Sequence, residues 1–126
     1  MSGLTTATWN AYLDDIVGTT ARTAPTTPMK LRLETVAGTA AAVGTEATGY
    51  TPPSIAFGAA ASASINNSGA LTVPFTATNA VVSLFIADSA GTPVRKLWGP
   101  LAATKNVVNG DSLAFAAGSI VITGTS

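Results

Sequence analysis

Apolar residues recur along this chain with two periods, and each period predicts a different element. Between Thr5 and Gly18, Trp9, Tyr12, Leu13 and Ile16 occupy the i, i+3, i+4 and i+7 positions of one helical face. Thr5 or Thr6 offers a capping hydroxyl at its start, and Gly18 offers a stop. Asp14 and Asp15 lie near the C-terminal end, where the helix dipole disfavours carboxylates. So short a helix is marginal alone, and its apolar face requires a surface to dock on, either its own domain or a neighbouring subunit.

From Met29 the period changes to two. Met29, Leu31 and Leu33 alternate with Lys30, Arg32 and Glu34, which predicts a half-buried strand over Met29–Val36 with a solvated outer face. The preceding segment, Thr19–Pro28, is rich in Thr, Ala and Pro and reads as an extended connector. Ala37–Thr51 has no clear period and reads as a long loop with one irregular turn. Further strands are expected at Ile55–Phe57, at Leu71–Thr76 with Pro74 marking an edge, and at Val81–Ala87. The last is an almost unbroken apolar run, as expected of a central strand covered on both faces. Turn residues at Asp88–Pro93 and Asn109–Asp111 separate strands at Val94–Gly99, Pro100–Val108, Ser112–Ala116 and Ser119–Thr123. The spacing predicts a mainly β chain: a single antiparallel β-sandwich, Ig-like or jelly-roll-like, over residues 29–126, preceded by a short helix and an extended arm over residues 1–28.

Composition narrows the chemistry. The 126 residues contain no His and no Cys, so neutral-pH proton transfer and thiol chemistry lack their usual side chains. Charged residues make up 10% of the chain and balance to zero, against about 25% in ordinary globular proteins. Low, neutral charge with 47% hydrophobic residues favours a life packed against copies of itself or a larger assembly. Sequence-independent nucleic-acid binding needs clustered cations, and the pair Arg95 and Lys96 is the largest cluster present. No apolar run approaches the roughly 20 residues of a membrane span, and no secretion signal is expected at the N-terminus.

No motif points to catalysis. The lysines Lys30, Lys96 and Lys105 are far apart, Asp14 and Asp15 point different ways on a helix, and the glycines at 38, 44 and 49 lack the Lys-Ser/Thr ending of a phosphate loop. Asn109 with Asp111 supplies too few oxygens for Ca²⁺ and reads as a tight turn. No cofactor or metal is expected. The candidate interface residues are the helix stripe Trp9, Tyr12, Leu13 and Ile16, together with Arg95, Lys96 and Trp98. Strand alternation would place Arg95 and Leu97 on one face and Lys96 and Trp98 on the other, with either Leu97 or Trp98 in the core. Arg and Trp are also types enriched at protein interfaces.

Four segments carry a family likeness: SIAFGAA (Ser54–Ala60), NNSGALTVPF (Asn66–Phe75), VVSLFIADSAGTP (Val81–Pro93) and LWGPLAATKNVVNGDSLAFAAGSIVIT (Leu97–Thr123). In their order the chain resembles small virion structural proteins of tailed bacteriophages, labelled tail fibre, minor structural or head decoration proteins. Leu4–Gly18 fits the short helix that precedes the strands there, while Ala37–Tyr50 matches loosely. The resemblance implies a β-sandwich subunit of the virion, assembled in the host cytoplasm, without enzyme activity or cofactor. It transfers no functional residues. The leading expectation is a capsid decoration or minor capsid protein that binds and stabilises the shell; the alternative is a tail-fibre or tail-tip subunit used in host attachment. The expected partners are copies of itself, a trimer favoured, with the major capsid protein or, alternatively, tail proteins and a host surface receptor. Nucleic acid and membrane are not expected partners.

Overall fold

A computed structural model describes residues 3–123. In chain order the elements are β1 (Gly3–Leu4), α1 (Thr6–Ile16), β2 (Met29–Val36), β3 (Thr45–Glu46), β4 (Ser54–Ile55), β5 (Ser64–Asn66), β6 (Leu71–Pro74), β7 (Asn79–Ala87), β8 (Arg95–Val107), β9 (Ser112–Phe115) and β10 (Val121–Thr123). The main sheet runs β1-β8-β7-β2-β3, with β4 pairing on the same edge of β2 as β3. Two antiparallel ribbons, β5 with β10 and β6 with β9, form a second layer.

The apolar alternation of the sequence is what joins the layers. Leu31 and Leu33 of β2, Val81 and Ile86 of β7 and Val107 of β8 are buried against Ile55, Val73, Phe75, Leu113 and Ile120 from β4, the ribbons and their flanks. Burying each such side chain contributes roughly 1.5–3 kcal/mol, and the antiparallel two-layer arrangement is the expected mainly β sandwich with its N-terminal helix. Two buried asparagines stitch the connecting segments to it. Asn67 accepts from the Ile120 N–H at 2.8 Å and donates to the carbonyls of Gly69 and Ala116. Asn79 accepts from the Thr48 N–H and donates to the Thr48 and Ala77 carbonyls, fixing the long segment ahead of β4. Such buried backbone groups would otherwise go unpaired.

The β7 strand sits between β2 and β8, as its apolar run requires. The helix begins and ends where its caps predict. The Thr5 hydroxyl accepts from the Thr8 N–H at 3.3 Å, and Gly18, at φ +75°, closes the C-terminal end. Thr19–Pro28 holds no regular element, as expected of a connector.

Three expectations are corrected. The loop assigned to Ala37–Thr51 contains β3, a two-residue strand too short to leave a periodic signature. The strands expected at Val94–Gly99 and Pro100–Val108 are one continuous strand, β8; Pro100 is accommodated because the register slips beside it, with Val81 opposite Lys105 but Ser83 opposite Pro100. The outer face of β2 is solvated only in part: Lys30 and Arg32 are half-buried, but Glu34 is 1% exposed.

Candidate functional site

The burial of Glu34 organises the sheet face opposite the core. Its carboxylate accepts from the Ser83 hydroxyl at 2.8 Å, the Gly44 N–H at 2.6 Å and the Gly38 N–H at 3.3 Å. A charge this deep requires such partners, and here two of them are backbone amides of the 37–44 loop. That loop is folded tightly onto itself: a Cβ at Gly44 would stand 1.8 Å from the Val36 carbonyl oxygen, and one at Gly38 2.7 Å from that of Ala42. Beside it, Arg32 holds both oxygens of Glu46 at 3.0 and 3.2 Å, and the Tyr50 hydroxyl donates to Glu46 at 2.7 Å while accepting from the Leu33 N–H at 2.9 Å. Burial, reinforced by the hydrogen bond to Glu46, pushes the Tyr50 phenol well above its ordinary range. Across the sheet, Asp88 accepts from the Val94 N–H at 2.8 Å, and this backbone hydrogen bond holds its carboxyl below the ordinary value of 3.8.

The helix presents the second surface. On a helical wheel of roughly 100° per residue, Trp9, Tyr12, Leu13 and Ile16 share an arc opposite Ala7 and Ala11. The alanines line the clefts between the helix and the rest of the chain, one of about 480 Å³ against the arm and β8, the other against residues 40–43. Tyr12 borders the larger of these clefts beside Lys96, whereas Trp9, Leu13 and Ile16 line neither cleft. Trp9 is 43% exposed, Leu13 53% and Ile16 67%, and none of the α1 residues is buried. Of the two docking options for the stripe, its own domain does not cover it. Trp9 and Tyr12 meet edge to face at 6.4 Å, and the Arg22 guanidinium lies 5.0 Å over the Tyr12 ring, so the arm braces the stripe. The Asp15 carboxylate accepts from the Arg22 N–H at 3.2 Å, which ties the arm back to the helix end.

The third group, Arg95, Lys96 and Trp98, is arranged differently from simple alternation. Ile86 pairs with Leu97 but Ala87 with Arg95, so Lys96 is the extra residue of a bulge. The bulge puts Arg95 and Trp98 on one face of the sheet, across from Ala87 and Phe85, while Leu97 packs on the core. Arg95 thereby joins Arg32 beside the 37–44 loop, where Arg32 and Arg95 line a common cleft. Glu34 and Arg32 carry no local sequence signal for these roles, because their alternation with apolar residues reads as a solvated face. Helix stripe and Arg95 lie on separate surfaces, and the structure does not bring all the predicted residues into one site.

A protein-family model described as Podophage GP4 fiber I protein gp80 matches residues 3–123. The chain belongs to that family. It is thus a structural protein of a phage virion, and the match takes in the helix and arm together with the sheets. The word fibre in the description fits the tail-fibre alternative better than head decoration. Neither a curated protein nor a solved structure matched.

Proposed function

We propose that this fibre-family chain is a subunit of a podophage tail fibre, a non-enzymatic part that joins copies of itself and contributes to host attachment. The family match across residues 3–123 carries this reading. The helix supports it: the exposed apolar side chains Trp9, Leu13 and Ile16, which line none of the chain's own clefts, are a surface that assembly would cover. The gain is modest. These side chains are already partly covered, so completing their burial adds about 1 kcal/mol each, against an association cost of about 4–15 kcal/mol. Isolated subunits therefore associate weakly and depend on the high local concentration of a fibre. The sandwich and the Glu34-anchored loop supply a rigid body, and rigidity preserves any binding surface without an ordering cost at contact.

Gold-labelled antibody against the purified chain, applied to intact particles, tests the location. Grains at the tail support the fibre reading, and grains spread evenly over the head refute it in favour of decoration.

A further inference from the structure

The sheet face opposite the core places two guanidinium groups in one cleft. Register sets this: Lys30, Ala87 and Arg95 form one row across β2, β7 and β8, and Arg32, Phe85 and Trp98 form the next. Arg32, Arg95 and Phe85 line a cleft of about 360 Å³ together with Gly44 and Glu46. Arg32 commits Nη1 to Glu46, while its Nε is buried without an acceptor among the described residues. Arg95 Nη1 is likewise buried without an acceptor. It reaches beneath the loop, for a Cβ on Gly38 would stand 3.2 Å from it.

An orphaned donor on each of the two arginines that line one cleft calls for an explanation, because a buried N–H without a partner costs about 1–3 kcal/mol. Both belong to guanidinium groups, whose planar fork matches a carboxylate or phosphate. Of the two cations, Arg32 is paired with Glu46, and the nearby Glu34 carboxylate is taken up by Ser83 and the two loop amides, which leaves Arg95 without a carboxylate partner among the described residues. The wall of the cleft is preformed, since Glu34 anchors the loop through the amides of Gly38 and Gly44. Its volume lies at the small end of ligand sites, roughly 300–1,000 Å³, and Phe85 offers an aromatic surface beside the cations.

We propose that this cleft binds an oxyanion, a carboxylate or phosphate group, carried on a single sugar ring. The chemistry rests on the two arginines alone. The choice of a saccharide as carrier rests on the reading of the chain as a host-attaching fibre subunit.

The full chain, labelled with ¹⁵N, is titrated at constant ionic strength with glucuronate, glucose 6-phosphate, inorganic phosphate and glucose, following the Gly44 and Phe85 amides and the Arg95 guanidinium. The proposal predicts saturable shifts with the oxyanions and none with glucose. The two sugar acids report which oxyanion is preferred, and inorganic phosphate binding as tightly as glucose 6-phosphate overturns the sugar carrier. R95Q weakens binding at least tenfold, whereas K105M, at an exposed site on the far part of β8, leaves it unchanged. R95Q also melts no lower than the parent in oxyanion-free buffer, because it removes an orphaned donor, and loses the rise in Tm that oxyanion gives the parent. Absence of any saturable shift, an equal response to glucose, unchanged affinity in R95Q, or a lower Tm for R95Q overturns the site. These outcomes are independent of where gold grains fall on the particle, so failure of the cleft and failure of the fibre reading are told apart.

Discussion

Replacing Glu34 by Ala removes the carboxylate that ties Gly38 and Gly44 of the 37–44 loop to the sheet. Three donors lose their acceptor: the Ser83 hydroxyl at 2.8 Å and the amides of Gly44 at 2.6 Å and Gly38 at 3.3 Å. Hydrogen bonds to a charged group contribute about 1.5–3 kcal/mol each, but the longest is weak and water reaches the loop side once it loosens. A net loss of roughly 3–4 kcal/mol follows, a large share of the 5–15 kcal/mol typical of a domain. Glu34→Gln keeps one acceptor oxygen but turns an amide NH₂ toward a donor, so it costs about half as much. Urea unfolding measures the loss as a lower midpoint, and at this chain length the Tm falls by roughly 10 °C or more. Hydrogen exchange locates it, with the Gly44 amide losing protection before the core strands. In a double-mutant cycle Ser83→Ala costs less in the Glu34→Ala background than in the parent. A Glu34→Ala protein within about 1 kcal/mol of the parent, with Gly44 still protected, refutes the reasoning.

Other outcomes follow from the same geometry. Gly44→Ala drives a Cβ against the Val36 carbonyl at 1.8 Å, backbone against backbone, and lowers stability by about 2–4 kcal/mol in chemical denaturation. Trp9→Ser and Ile16→Ser, at exposed positions, change monomer stability by less than about 0.5 kcal/mol yet weaken self-association in sedimentation equilibrium about tenfold each, the equivalent of about 1.4 kcal/mol. Asp88 is held below its ordinary 3.8 by the Val94 N–H. Its contribution is therefore complete above that pH and lost as the pH falls below it. Asp88→Asn removes that part of the acid sensitivity, which pH-dependent unfolding detects. Tyr50 has the opposite sign: its raised phenol stabilises the fold up to its ordinary value of 10.0 and the benefit is lost as the pH rises beyond it. In a Tyr12→Phe background the remaining tyrosinate absorbance then appears together with unfolding.

How far the chain could be read in advance depends on the range over which each signal acts. The helix, its caps, the β2 alternation and the central β7 strand are local patterns, and they stand where the pattern puts them. β3 has two residues and exists only because β2 offers an edge. Glu34 lies in phase with Lys30 and Arg32, and nothing local distinguishes a wet carboxylate from one whose partners arrive from residues 38, 44 and 83. Arg95 stood out as part of the largest cationic cluster, but its position beside Arg32 follows from the bulge at Lys96 and the register of three strands. The exposed stripe is the converse case: sequence periodicity identified it, and only the fold shows that its own domain leaves it uncovered. Pro100 misled for a related reason, since a proline within a strand reads as a break unless a register slip accommodates it.

The central claim, that this chain builds the fibre and not the head, is tested most directly by counting it. Quantitative mass spectrometry of purified particles, with labelled peptides from this chain and from the major capsid protein, gives the ratio per virion. A fibre subunit amounts to a small fraction of the major capsid protein, whereas a number approaching that of the capsid protein contradicts the account.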